Sequence, residues 1–319
     1  MRIPYALLAA ALSIGGLTCV TATPAPVASA SPAPVQQATA APGPAIQVTP
    51  PREKDSVRFA VIGDTGTGTK SQYDVGALLT QSREVFPFEF VIMLGDNIYG
   101  SERPQDFAKK FEKPYQSLLE AKVPFYAALG NHDDPTQRYY KPFNMNGERF
   151  YTFTKGSARF FVLDSNYMDQ TQLKWLEEQL SKATDRWKIA YFHHPLYSSG
   201  GAHGSEVDLR VQVEPLFIKY GVDVVFAGHE HFYERIKPQN GVYYFTEGGS
   251  AKLREGDIRK GPLTAVGFDT DFTFMLAELG KDAMQFQVLT RGGKPIDSGT
   301  LPLGEEPKKP AESKPPSSR

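Results

Sequence analysis

Phe88-Glu89-Phe90-Val91-Ile92-Met93-Leu94-Gly95-Asp96-Asn97 is the stretch on which the fold turns. Its apolar run has the length and the β-branched and aromatic content of a buried strand, and it stops at a glycine followed by polar residues. Four further runs stop in a similar way. Val57–Ile62 leads into Gly63-Asp64, and Phe125–Leu129 into Gly130-Asn131-His132-Asp133. Trp187–Phe192 leads into His193-His194, and Val222–Ala227 into Gly228-His229-Glu230-His231. Four of these five endings place Gly directly before the polar residue, where it permits a sharp turn and close backbone approach. Between the strands lie the helix candidates Gln72–Arg83, Pro104–Leu119, Asp169–Lys182 and Glu206–Tyr220. Asp169 can cap the third of these, whose Leu173, Leu176 and Leu180 share one face.

Arg149–Thr154 and Arg159–Asp164, separated by Lys155-Gly156-Ser157, form the pattern of a hairpin. Beyond residue 240 the pattern holds strands only: Val242–Thr246, Phe272–Leu279, Gln285–Thr290 and Gly299–Leu303. This alternation predicts an α/β domain with a mixed sheet, or two packed sheets, flanked by helices.

In open α/β sheets, sites form where the carboxyl ends of strands meet. A single Gly-Asp commonly just finishes a strand. Five endings that carry oxygen and imidazole donors without sulfur point instead to a centre of hard or borderline metal ions. His229 and His231 are two apart on extended chain, so both side chains leave one face. Asp96 and Tyr99 are three apart after a strand end, so a turn brings both to one ion. Asp64, Asp96, Tyr99, Asn131, His193, His229 and His231 make seven donors, too many for one open site but suited to two ions sharing a carboxylate. His194 rivals His193; the His-x-Pro register favours His193 and leaves His194 as a supporting imidazole. Tyr197 and Tyr233 line the pocket or belong to the core; Gly248-Gly249-Ser250 is a loop near the site with no chemistry assigned.

The ordered blocks Gly-Asp64-Thr-Gly, Gly-Asp96-Asn-Ile-Tyr99, Gly-Asn131-His132-Asp133, His193-x-Pro and Gly-His229-x-His231 resemble the signature of calcineurin-like metallophosphoesterases. With Tyr99 in the second block, the chain resembles a small, tartrate-resistant-type purple acid phosphatase. The resemblance implies a four-layer αββα sandwich. It implies that Asp64, Tyr99 and His231 hold one ion, usually Fe(III), and that Asn131, His193 and His229 hold a divalent Fe, Zn or Mn. Asp96 would bridge them. Many relatives outside the purple group place a His two residues after the first Asp; here that position is Gly66, so the ligand is missing unless Tyr99 supplies it. His132 and His203 resemble the substrate-contacting imidazoles, with His203 the leaving-group acid. There is one departure: Ala190 stands where the fourth block often has Val. Two ions about 3.5–4 Å apart clamp phosphoryl oxygens and acidify a coordinated water, so the implied reaction is in-line hydroxide attack on a phosphomonoester. A phosphodiesterase is the alternative within the class, and a non-catalytic metal-binding surface protein the alternative outside it.

Composition sets the remaining bounds. Thirty-five basic and 36 acidic residues leave a net charge of −1, which argues against nucleic acid as a stable partner or an electrostatically held membrane surface. The expected partner is a small phosphoester substrate. The single cysteine, Cys19, precedes the charged part of the chain, which excludes a disulfide framework, an Fe–S cluster and a cysteine nucleophile from the folded part. After Arg2, Ile3–Val20 is apolar and Ala28-Ser29-Ala30 fits a small-x-small cleavage site. Residues 1–30 therefore read as an export signal, with an uncleaved anchor or a lipid on Cys19 as alternatives. Export would place the protein in the periplasm or outside the cell. Residues 31–51 read as a Pro/Ala-rich linker, 52–303 as the catalytic domain and 304–319 as a solvated tail.

Overall fold

The computed structural model describes residues 48–50, 53–259 and 261–304. The proposed signal, the linker up to residue 47 and the tail from residue 305 lie outside the described residues. The strands, in chain order, are β1 (Val57–Ile62), β2 (Phe90–Met93), β3 (Phe125–Ala127), β4 (Tyr151–Lys155), β5 (Ala158–Val162), β6 (Trp187–Tyr191) and β7 (Val224–Ala227). They continue as β8 (Tyr233–Gln239), β9 (Val242–Glu247), β10 (Thr264–Phe268), β11 (Thr273–Leu279), β12 (Ala283–Thr290) and β13 (Pro295–Pro302). One sheet has the order β13-β12-β11-β1-β2-β3 and the other β10-β8-β9-β7-β6-β5-β4. Both are mixed: β1, β2 and β3 pair parallel in the first, and β5, β6, β7 and β9 in the second, with antiparallel strands on one side of the first and on both sides of the second.

Alternation along the strands builds the layers. On β1, Val57, Phe59 and Val61 enter a cluster with Phe160, Ile189, Tyr191 and Phe226, so these residues form the core between the sheets. Ala60 and Ile62 face the other way, toward Val75 and Leu79 of the helix Lys70–Val85. On the far side, Leu176 and Leu180 of the helix Gln170–Lys182 join Val213 and Phe217 of the helix Val207–Tyr220 against Ala190 and Val225. The result is the α/β/β/α sandwich implied by the sequence. As expected, Asp169 caps its helix by accepting the Gln172 amide at 2.8 Å.

Three expectations need correction. The predicted helix Pro104–Leu119 is broken into a turn of α-helix (Pro104–Phe107), a π-helical turn (Ala108–Glu112) and Gln116–Glu120. Pro114, which cannot donate to a helical ladder, lies at the break. Strands β8 and β10 were not foreseen, because Glu234, Arg235, Lys237 and Pro238 hide the strand pattern of β8. Finally, ordered packing starts before Arg52. Val48 packs against the outer core, Pro50 is buried, and the Thr49 amide donates to Gln287 Oε1 at 3.0 Å.

Candidate metal centre

All the strands that end in candidate ligands bring those ends to one edge of the sandwich. Asp64 follows β1, Asp96 and Tyr99 follow β2, and Asn131 follows β3, all in the first sheet. His193 follows β6, and His229 and His231 follow β7, in the second. The ligand side chains also tie the sheets together. The His229 amide donates to Asp64 Oδ2 at 2.8 Å, and His193 Nδ1 donates to the Leu94 carbonyl at 2.9 Å. Asp64, Asp96 and His229 all hold positive φ, at 55°, 51° and 70°. Non-glycine residues seldom adopt that region, and it clusters at functional sites.

The seven candidates fall into two groups. In the first, His193 Nε2 lies 2.9 Å from Asn131 Oδ1 and 3.1 Å from His229 Nδ1, and His229 Nδ1 lies 3.0 Å from Asn131 Oδ1. Because His193 gives its Nδ1 proton to Leu94, its Nε2 carries a lone pair toward the Asn131 oxygen, itself an acceptor. Mutually repelling lone pairs that converge in this way fit a cation. In the second group, Tyr99 Oη lies 3.0 Å from Asp64 Oδ1 and 3.3 Å from His231 Nε2, and His231 Nε2 is 3.4 Å from Asp64 Oδ1. Donor atoms of Asp64, Asp96 and His231 gather within 4.8 Å. Asp96 reaches the first group as well, with Oδ1 3.4 Å from His193 Nε2. Its donor oxygen thus reaches an imidazole of the first group while its carboxylate belongs to the second.

Electrostatics agrees with that reading. Asp64 and Asp96 are buried, and among the described residues neither is paired with Lys or Arg. Burial, and then the Asp96 charge, push the Asp64 carboxyl well above its usual range. Burial, followed by the same two carboxylates, raises the Tyr99 phenol strongly. A bound cation would reverse both effects. Burial, then neighbouring charges, holds His231 down at about 3 and His229 at about 2, so both imidazoles are neutral, as a ligand must be. The residues present therefore fit two cations in adjoining positions.

His132 and His203 stand exposed on opposite halves. The His132 ring lies 4.9 Å from that of Tyr99, and the His203 ring 4.3 Å from that of His229. His194 is half-buried beside the first group, its Nδ1 2.8 Å from Ser165 Oγ and its ring 4.5 Å from His229. With these, all six histidines of the chain belong to this one place. A cavity of about 380 Å³ opens beside Asn131 and His194, lined also by Asp164, Ser165, Asn166 and Tyr167. Tyr197 and Tyr233 do not enter it. Tyr233 is buried and donates to Asp297 at 2.6 Å, and Tyr197 donates to Glu214 at 2.8 Å.

Several supporting residues escaped the sequence reading. Asp133 is buried and accepts five hydrogen bonds, from the amides of Gly130, Asn97 and Ile98 and from the side chains of Asn97 and Gln137. It thereby locks the loop of Asp96 to the loop of Asn131. Its place beside His132 was a signal that could have been used. Lys110 donates to the carbonyls of Tyr99 at 2.6 Å and Ser101 at 2.9 Å, and Lys252 Nζ lies 4.1 Å above the Tyr99 ring. Nothing local to either lysine marks it. Ser250, in the loop left without chemistry, accepts the Gly63 amide at 3.2 Å.

Comparison with known proteins shows the family of the chain. The calcineurin-like phosphoesterase family matches residues 57–233. Human tartrate-resistant acid phosphatase type 5 is 24% identical over 304 residues, covering 79% of this chain and 93% of that protein. The Fe(3+)-Zn(2+) purple acid phosphatase 12 of Arabidopsis thaliana is 31% identical over 226 residues, covering 61% and 47% respectively. The chain spans about half the length of the Glycine max purple acid phosphatase and of the Arabidopsis thaliana purple acid phosphatases 12 and 23. Among solved structures, GAP50, the anchor in the inner membrane complex of Plasmodium, superposes with a TM-score of 0.68 at 23% identity, over 79% of this chain and 90% of that one. That likeness concerns the fold.

Proposed function

The chain belongs to the calcineurin-like phosphoesterase family, and from that premise we propose that it is an exported, binuclear metal-dependent phosphatase acting on phosphomonoesters. The observation that carries the reading is Asp96, whose carboxylate touches both donor groups. Asp64, Tyr99 and His231 would hold Fe(III), Asn131, His193 and His229 a divalent Fe, Zn or Mn, and Asp96 would be shared. The iron assignment is supported by a phenol among the donors and by the Fe(3+)-Zn(2+) relative. When bound, such ions supply positive charge for phosphoryl oxygens and acidify water.

The chain's own groups do the rest. His132 and His203, exposed on the two halves, present N–H donors to the phosphoryl and leaving oxygens. Asp96 Oδ1 accepts the His132 amide at 3.0 Å, which fixes the loop that carries that imidazole. The cavity beside Asn131 and His194 takes the ester's organic part. Monoester preference is supported by the acid-phosphatase names of the relatives. Export is supported by the apolar run Ile3–Val20 and the Ala28-Ser29-Ala30 site.

The test is a panel of phosphate monoesters and diesters assayed together with elemental analysis. Asp96→Ala is expected to lose both ions and turnover together. Two ions per chain with turnover retained in that variant would refute the shared-carboxylate centre.

A further inference from the structure

Among the described residues, His203 is the one histidine met by a guanidinium: Arg254 Nη2 lies 3.1 Å from His203 Nε2. The arginine is itself held. Its Nη1 lies 3.2 Å from Glu230 Oε2 and 3.3 Å from Asp257 Oδ2, and its amide donates to the His231 carbonyl at 3.0 Å. Glu230 lies between the two histidines of the fifth block and is fully buried. Its other oxygen accepts the amide of Gly204, the residue after His203, at 2.5 Å. Asp257 accepts the Gly201 amide at 3.1 Å through Oδ1. Backbone and imidazole of the His203 loop are thus both tied to Glu230, Arg254 and Asp257.

A guanidinium has donors and no lone pair. In this contact His203 Nε2 must accept, so the ring proton sits on Nδ1. We propose that Arg254, clamped by Glu230 and Asp257, is the positioning residue of His203 and makes Nδ1 the atom through which that imidazole, neutral throughout, hydrogen-bonds to the leaving-group oxygen as it gains negative charge. Solvent water supplies the proton the alkoxide takes up. The proposal rests on the phosphatase reading of His203. A hydrogen bond to an oxygen strengthens as that oxygen gains negative charge. Loss of the alignment should therefore hurt esters of poorly leaving alcohols more than esters of acidic phenols.

Two measurements test it. The first is imidazole ¹⁵N NMR on the zinc-loaded full chain, which does not depend on turnover. His203 is expected to be protonated at Nδ1 in the parent protein, to move toward Nε2 in Arg254→Met, and to return in Arg254→Lys. The second is kcat/KM across monoesters running from p-nitrophenyl to alkyl phosphate. His203→Ala should lose about 10²-fold on alkyl phosphate and far less on p-nitrophenyl phosphate, within the range for a lost hydrogen-bond donor to a developing oxyanion. Arg254→Met should show the same slope with about a tenfold loss, largely restored in Arg254→Lys. An unchanged His203 tautomer in Arg254→Met, or a loss equal across all esters, overturns the proposal while His203→Ala keeps its slope. A flat profile in His203→Ala itself overturns the leaving-group reading of His203, and the proposal with it.

Discussion

Gly66 lies directly under the turn that carries Tyr99: the Tyr99 amide donates to the Gly66 carbonyl at 2.8 Å, and the Gly66 amide donates to the Asp96 carbonyl at 3.2 Å. A Cβ on Gly66 would stand 2.0 Å from the Asn97 carbonyl oxygen, closer than atoms can pack. The missing histidine and the added tyrosine are therefore one structural event. The turn that delivers the phenol occupies the space a side chain at 66 would need.

It follows that Gly66→His cannot restore a ligand in a Tyr99→Phe background. Tyr99→Phe alone should bleach or strongly shift the visible band of the oxidised iron protein while part of the phosphatase activity survives. Gly66→Ala should displace the Tyr99 turn and cost about 1–3 kcal/mol, the usual range for overpacking. Visible absorption, iron content and urea unfolding check these outcomes. A colourless, iron-free and fully active parent enzyme would refute the purple assignment and leave the metallophosphoesterase fold untouched.

Asp133 offers a sharper test than its neighbours. Donors approach both of its oxygens: three at Oδ2 and two at Oδ1. An asparagine presents an acceptor on one side only, so Asp133→Asn places an amide N–H against N–H groups. The expected cost is about 2–4 kcal/mol, since buried donors are left unmet. Asp133→Asn should be nearly as damaging as Asp133→Ala, seen as a lowered denaturation midpoint. A near-native midpoint for the asparagine variant would contradict the role of this carboxylate as the lock between two loops.

Asp223, at the start of the strand opposite the metal edge, should carry a pH signature. Burial pushes its carboxyl up to about 6, even though it accepts the Lys188 amide at 2.8 Å. The folded state therefore keeps a proton that the unfolded chain releases at about 4. With the folded value above the unfolded one, this carboxyl's contribution to stability is lost as pH rises from about 4 to about 6. Asp223→Asn should remove that loss and gain on the parent by about 2–3 kcal/mol across this window. Thermal melts of both proteins at pH 4, 5 and 6.5 measure it. A constant difference in Tm across the three would contradict the buried, raised carboxyl.

At the N-terminal end, a shortened chain that begins at Arg52 loses the Val48 contact, the buried Pro50 and the bond from Thr49 to Gln287. It should still fold, with stability lower by about 1–2 kcal/mol, roughly the value of one partly buried aliphatic side chain. Turnover per folded molecule should be unchanged, because neither the Thr49 bond nor the Val48 contact involves a candidate site residue. Equal Tm values for the two chains would show that these residues add nothing.

The candidate ligands were legible in the sequence because their chemistry is a property of residue type and local position. Asp64, Asp96, Asn131, His193 and His229 each follow a buried apolar run, and parallel strands whose carboxyl ends share one edge must bring such residues together. The spacing of Asp96 and Tyr99 carried the same information over three residues. His229, at φ 70°, lies in a bend and not on the extended chain expected, and its side chain and that of His231 enter different donor groups. What the sequence could not decide is which polar side chains far apart along the chain meet. Arg254 meets His203 across 51 positions and Arg235 meets Asp297 across 62. Strand β8 belongs to this second kind. Its Glu234 is satisfied by the Ser199 and Thr264 hydroxyls and its Arg235 by Asp297, so charged residues that hide a strand from view are what the finished sandwich holds in place. A buried charge persists only where distant partners compensate it, and those partners exist only once the chain has folded.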